Sequence, residues 1–578
     1  MSEDKIMKKY IKGVSLLLAA ASISCCGLTA CGSSKPQVDE KTIVVKCLKA
    51  GFGTDWLYEV KGKFETAYAS QGYKVEILTP DLEIKGNTVI QELALGYDKM
   101  GVDLYLTSGA TPDAVGELGD YGILVEDIKE SVYNQTAIAY DGTEESKKVS
   151  EKISEDVIPF VTDSSGAVYG YNWAQTSGGL AVNTRKLALY GLEIPNTTNE
   201  MFDCFDKIYC GANGVPNSLE SGTYPITYIP GGNGYGVCFL YTLVAQYDAK
   251  FYEEFWSFQK AAEDGTLVNM SDDECKNVYN HPAIEEMLEV AFRTFDMMLC
   301  APGTLSQGVD QAQAKIMDDS DGAVFMFNGD WMLNELKLSH REKLNDIDFV
   351  NYPVASAVGT KLFGAGTSYN FNEQKCDELL SYIIDQVDEN KKIEEIVAAV
   401  KADKGIDVAV EDVKEVARAR GVSYSRGVEH LGYITKGTTK KDIASLFLRM
   451  MSSDDFGKTF NNTANGTSPY YAQVNTTSEY QFVKSASKIP ANKYFSLISL
   501  AHGAKGYRKQ LNLNGYFTYQ SHIPDYISTQ SSATIYTSAG TRDSKKGLDV
   551  YEKAAKQFVA EEIGLLSKNW STYKNNLG

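Results

Sequence analysis

Weighed by spacing, the residues that could do chemistry divide quickly. The five histidines, His281, His340, His430, His502 and His522, share no i, i+4 pair and no HExxH. A zinc-protease site is therefore not expected. GGNGYG, residues 231–236, has the glycine density of a phosphate loop. It lacks the strand–loop–helix setting and the following Lys-Ser/Thr, and is read as a ligand-side turn offering Asn233 and Tyr235. The acidic run Asp318-Asp319-Ser320-Asp321-Gly322 lacks the spacing and distal glutamate of a calcium loop and is read as a solvated turn. No G-x-S-x-G elbow occurs. Paired carboxylates of the glycosidase kind stay open, because acids are abundant and their separation is invisible in a sequence. No metal and no cofactor is expected.

What remains suits holding a polar molecule more than transforming it. In DGAVFMFNGDWMLNEL (321–336), Ala323 to Phe327 reads as a buried strand, Asn328-Gly329-Asp330 as a turn, and Met332 onward as a helix. Trp331 follows the turn, with Asn328 and Asp330 as polar neighbours. Thr107 and Ser108 end another strand, VDLYLTSGA (102–110). Tyrosine is abundant, 36 against 5 Trp, and supplies flat apolar faces with a hydroxyl handle.

These candidates need a scaffold. TIVVKCL (42–48) and YKVEILTP (73–80) read as strands, and 55–72 and 87–100 as amphipathic helices. Strands alternating with helices predict an α/β lobe with a largely parallel sheet, whose ligands sit beyond the carboxyl ends of the strands. With 578 residues, one ordinary core is too small, so at least two lobes are expected. Residues 374–425 are read as two charged amphipathic helices inserted in the second lobe, and 549–570 as a docked terminal helix. The formal charge of −20 argues against nucleic acid. The ten cysteines show no CxxC spacing, which excludes a disulfide framework or zinc site; Cys204 and Cys210 are read as two buried thiols rather than a pair.

The start of the chain reads as an export signal. Lys8, Lys9 and Lys12 precede an apolar stretch, Val14 to Ser24, too short to span stably, then Leu28-Thr29-Ala30-Cys31-Gly32. Met7 is an alternative start. The cysteine segment resembles the lipobox of bacterial lipoproteins. It implies cleavage after residue 30, palmitate-type acylation of Cys31, a tether over 31–41, and residence on the outer membrane face of a Gram-positive cell. No later stretch is apolar enough to span a bilayer.

Three further segments carry a resemblance. Tyr169-Gly170, Gly179-Leu180, Asn183 and Leu187, then Gly191-Leu192-Glu193-Ile194-Pro195, follow the pattern Y-G-x-P-x6-G-L-x-Y-N-K-x-L and G-L-x-x-P-x-T-W-x-E, with Asn172 and Met201 replacing its proline and tryptophan. GAVFMFNGDWMLNEL follows G-x-A-A-M-x3-G-x-W. GVEHLGYITKGTTKKDIASLFLRMMSSDDFGKTF (427–460) follows G-x-x-I-x-K-x-S-K-N-x-x-A-A-x-x-F-L-x-F-L. In this order the chain resembles the extracellular solute-binding proteins of ABC importers, in the carbohydrate-binding cluster that includes maltose-binding protein. The resemblance implies two doubly wound α/β lobes joined by a multi-strand hinge, the type II periplasmic-binding-protein plan. Crossings would fall near 172–176, 428–435 and 470–478, and Trp173, Gln175 and Thr176 are candidate contacts because they flank the first of them. Lobe 1 would be 41–172 with 430–475, and lobe 2 173–429 with 476–578. It also implies a monomer, permease subunits as partners, and a sugar or oligosaccharide bound between the lobes, with Trp331 stacking on it. A secreted glycosidase, or a binding protein for a non-sugar organic solute, is the alternative.

Overall fold

The computed structural model describes residues 39–49, 51–78, 86–107, 124–153, 157–162, 166–229, 235–336, 341–423, 430–471, 536, 540–542 and 548–575. Strand β1 (Thr42–Cys47) alternates half-buried and buried residues, placing Ile43, Val45 and Cys47 in the core. The helix Asp55–Ala67 covers that core with Trp56, Leu57, Val60 and Phe64, a stripe at helical spacing. Strands β2 (Lys74–Leu78) and β3 (Leu104–Leu106) flank β1, both parallel to it. The expected helix over 87–100 is broken: Gly86–Leu95 and Tyr97–Met100 are separated by Gly96 at φ 80°. A hairpin of β4 (Thr136–Ile138) and β5 (Glu144–Lys148) lies outside the sheet, and β6 (Tyr171–Asn172) follows.

A second sheet then begins. Strand β7 (Gly178–Asn183) is buried throughout, as is β11 (Gly322–Gly329), because both are central in the order β12-β7-β11-β8 and are covered on both faces. Strand β8 (Thr223–Thr227) runs parallel to β11, whereas β12 (Ile347–Val350) and β11 both run antiparallel to β7. Between them β9 (Gln259–Ala261) and β10 (Leu267–Asn269) form a small exposed hairpin.

The segment read as two inserted helices is three: Glu373–Asp388, Ile393–Lys404 and Val410–Arg420. Asn390, at φ 58°, breaks the first run, and Gly405, in left-handed geometry, ends the second. Their apolar faces (Leu380, Ile384, Ile396, Val413, Val416) belong to the main core of this lobe. Arg418 donates to the carbonyls of Ala245 and Gln246, and Arg420 to Asp388 and the Tyr352 carbonyl. The terminal helix Asp549–Asn575 packs on Pro282–Thr294, with Phe558 against Phe292, and buries Ala555 and Leu566 in the same core. Cys204 and Cys210 are free thiols, but only Cys204 is buried; Cys210 is half-buried.

Strand β13 (Leu431–Ile434) returns to the first sheet, whose order is β2-β1-β3-β13-β6. It pairs antiparallel with β3 and β6. The parallel rule holds only for β1, β2 and β3, where local helices make the crossovers. β13 arrives from the other lobe, so nothing forces it to run parallel. The result is an α/β protein of two lobes, each with its own mixed sheet and its own apolar core.

Candidate functional site

The chain passes from the first lobe to the second through residues 173–177, between β6 and β7. It crosses again ahead of β13, and the segment 464–471 lies beside the first crossing. There the Gln175 N–H donates to the Thr467 carbonyl at 2.9 Å. Two loop tips meet beside these crossings. One is Gly51-Phe52, past the carboxyl end of β1; the other is Asp330-Trp331, past the carboxyl end of β11.

Gly51 takes φ 53°, and a Cβ there would stand 3.5 Å from the Trp331 Cβ. On the other side the indole folds back over Gly329. A Cβ on residue 329 would fall 2.0 Å from the ring, so only glycine lets Trp331 sit there. Trp331 is half-buried between the two glycines. One turn on, Asn334 Nδ2 donates to the Ala464 carbonyl, and Asn465 Nδ2 donates to Asn334 Oδ1 at 2.9 Å. Contacts between the lobes thus converge on this turn.

The polar neighbours are buried. Asn328 spends its Oδ1 on the Gly329 N–H at 2.7 Å. The Asp330 N–H donates to the Ser177 carbonyl at 3.0 Å, but its Oδ1 has no partner among the described residues. Burial pushes the Asp330 carboxyl up to about 8, against the pull of the Ser177, Asp330 and Trp331 N–H groups. Thr176, 2% exposed, likewise has an unpartnered Oγ1. Among the described residues, an unfilled acceptor on Asp330 itself and an unfilled hydroxyl on Thr176, next to Ser177, lie at the two ends of the Ser177–Asp330 bond, and a polyhydroxylated molecule could satisfy them.

The carboxyl has a pH consequence. A raised folded value means the native state holds a proton that the unfolded chain releases near pH 4. Stability from this group is therefore lost as pH rises from about 4 to about 8. Asp330→Asn should flatten the pH dependence of the melting temperature across that window. An unchanged slope would show that another group titrates there.

Other candidates have different surroundings. Trp173 is fully buried in the first core, stacked on Trp56 at 5.4 Å and edge-on to Phe52, with its Nε1 donating to the Thr107 carbonyl at 3.1 Å. Thr107 is also buried, and its N–H donates to Leu431. Both stiffen the edge on which Phe52 rests. Tyr235 is the first residue of the helix Tyr235–Tyr247, and β8 ends at Thr227, so contrary to the sequence reading GGNGYG does lead from a strand into a helix. What still separates it from a phosphate loop is the missing Lys-Ser/Thr. Ser108, Asn233 and Cys31 lie outside the described residues. Sequence reasoning passed over Gly51, Phe52, Ser177 and Asn334. The signal available was GFG, separated from β1 by three residues, at the sheet edge where ligands gather. Among the described residues, no three His, Cys, Asp or Glu side chains could hold a metal, and no helix is long and apolar enough to cross a membrane.

No protein-family model matches the chain, and no curated protein matches it. Among solved structures it is similar to a chitin oligosaccharide binding protein, at 12% identity and a TM-score of 0.48, covering 89% of this chain and 100% of that one. It is similar to the solute-binding protein RafE in complex with raffinose (12% identity, TM-score 0.47, 83% and 99% covered). A third is the Thermus thermophilus maltotriose binding protein bound with maltotriose (13% identity, TM-score 0.46, 91% and 100% covered).

Proposed function

We propose that this chain is a solute-binding lipoprotein that captures a sugar or oligosaccharide between its lobes and delivers it to the permease of an ABC transporter. The observation that carries this reading is the meeting of Gly51-Phe52 with Asp330-Trp331 beside the crossing segments. An aromatic face with unfilled polar neighbours stands where two separately cored lobes can part. The ordered sequence motifs support binding over turnover. In this reading the lobes are 41–172 with 430–475 and 173–429 with 476–578, rotating about the crossings as a hinge. The site comprises Trp331, Asp330, Asn328, Gln175 and Thr176.

Solute that touches both lobes favours the closed form by the difference in its affinity for the two states. Calorimetry against a panel of oligosaccharides should find one that binds without being consumed, and small-angle scattering with that sugar should show a smaller radius of gyration. Cleavage of the sugar would make the protein a glycosidase. Binding with an unchanged radius would remove the hinge.

The lipid anchor is a separate part of the proposal. One acyl chain binds a membrane marginally and two hold it stably, so a diacylated Cys31 would keep the protein on the cell surface. Cys31→Ala is expected to release it into the medium. A variant that stays membrane-bound and still labels with palmitate would sink the idea.

A further inference from the structure

A cavity of about 340 Å³ lies within the second lobe, among lining residues that include none of the candidate contacts described above. One wall is the helix Pro282–Thr294, which presents Glu286, Glu289 and Arg293 at i, i+3 and i+7. Phe202 lies under Arg293, whose guanidinium sits 4.2 Å from the ring centre. Glu373, at the start of another helix, completes the acidic side.

The charges do not balance inside this space. Arg293 is committed elsewhere: its Nη2 pairs with Asp206 at 3.2 Å, and Asp206 also holds Arg542 and the Tyr536 hydroxyl. Glu286 and Glu289 form no ion pair among the described residues. The Ala357 N–H donates to the Glu286 carboxylate. Lys556, beside this wall, is engaged with Glu285 and Glu552 and only weakly offsets Glu289. Burial first, then their acidic neighbours, push both carboxyls up to about 7: Glu289, Glu373 and Glu285 act on Glu286, and Glu285 and Glu552 on Glu289. Two partly buried carboxylates beside one cavity favour a proton or a cation there.

A second observation comes from the same wall. Arg293 is only 7% exposed, yet its Nε has no acceptor among the described residues. A buried guanidinium N–H left unfilled beside a void is costly, and an oxygen acceptor supplied from the cavity would remove that cost. The space is that of about ten waters and within the range of small-molecule sites. The carboxyl groups here do not form a three-ligand metal set. The matching occupant is organic, cationic at one end and oxygen-bearing at the other.

We propose that this cavity is a second binding site, confined to the second lobe, for a small organic ammonium ion carrying an oxygen acceptor, the class of amino alcohols and amino sugars. The ammonium sits between Glu286 and Glu289, and the oxygen faces Arg293. The site is independent of the interlobe reading, since it uses neither the crossings nor Trp331.

The test uses the full chain at pH 8, with ethanolamine as the ligand and ethylene glycol and sodium chloride as controls. Ethanolamine should raise the melting temperature of the second lobe saturably, and the controls should not. The effect should weaken at pH 6, where the two carboxyls are protonated. Glu286→Gln with Glu289→Gln keeps the shape and should weaken binding about tenfold or more. Glu289→Gln alone, on a half-buried side chain, should weaken it in the same direction and serves if the double variant does not fold. Trp331→Ala should leave the effect intact. No saturable shift, an equal shift with ethylene glycol, or full binding by the glutamine variants would overturn the proposal.

Discussion

Asp103→Ala is expected to cost about 3–5 kcal/mol of folding stability, the usual penalty for breaking a buried ion pair from one side. Asp103 is 0% exposed, at the entry to β3. Its Oδ2 accepts the Val44 N–H of β1 at 2.7 Å and faces Lys440 Nζ at 2.7 Å. Its Oδ1 accepts the Thr438 hydroxyl. Lys440, 4% exposed, also donates to the Thr42 carbonyl at 2.7 Å. One carboxylate thus pins the turn after β13 onto β1 and β3, where the chain has just returned from the second lobe. Alanine would strand a buried ammonium and two unfilled donors. Asp103→Asn, which keeps the shape and loses the charge, should fall between. With two lobes the unfolding need not be two-state, so the readout is the first-lobe transition in urea. A loss below about 1 kcal/mol would show that water or another acceptor replaces the carboxylate.

Much of this architecture is legible in the residues, and its failures are physical. The run AVFMF reads as a buried strand because a central strand covered on both faces needs no alternation, and β11 is one. The turn N-G-D-W announces its geometry, since Gly329 is the only residue that lets the indole fold over the strand end. Trp173 is different: a tryptophan near a lobe crossing gives no sign of which side it faces, and only the Trp56 and Phe52 rings reveal that it packs inward. Antiparallel β13 is equally hidden, because strand direction depends on where the chain has been between strands. The third helix in 373–420 turns on one left-handed asparagine, Asn390, inside a charged run that otherwise reads as continuous. The Gly51–Trp331 approach joins residues 280 positions apart, and no local pattern encodes it.

Trp331→Ala is expected to weaken sugar binding by about 1–3 kcal/mol, roughly ten- to a hundredfold, while leaving the fold in place. A pyranose has a face of C–H groups that an electron-rich ring attracts while water is excluded, and its hydroxyls then need partners at the ring edge. Asp330 Oδ1 and the Thr176 hydroxyl, both without a partner among the described residues, lie at the two ends of the Ser177–Asp330 bond. The competing role is packing. The helix Met332–Leu336 already buries Met332, Leu333 and Leu336, and the indole rests on Gly329 rather than inside that cluster. Removing it should therefore cost little stability. Trp331→Phe, which keeps a smaller ring face, should lose only part of the affinity. The measurement is calorimetry with the sugar that binds wild type, paired with thermal unfolding of each variant. Unchanged affinity with a large fall in melting temperature would make Trp331 a packing residue between the lobes, and the binding face would then have to be sought among the aromatics around Phe52.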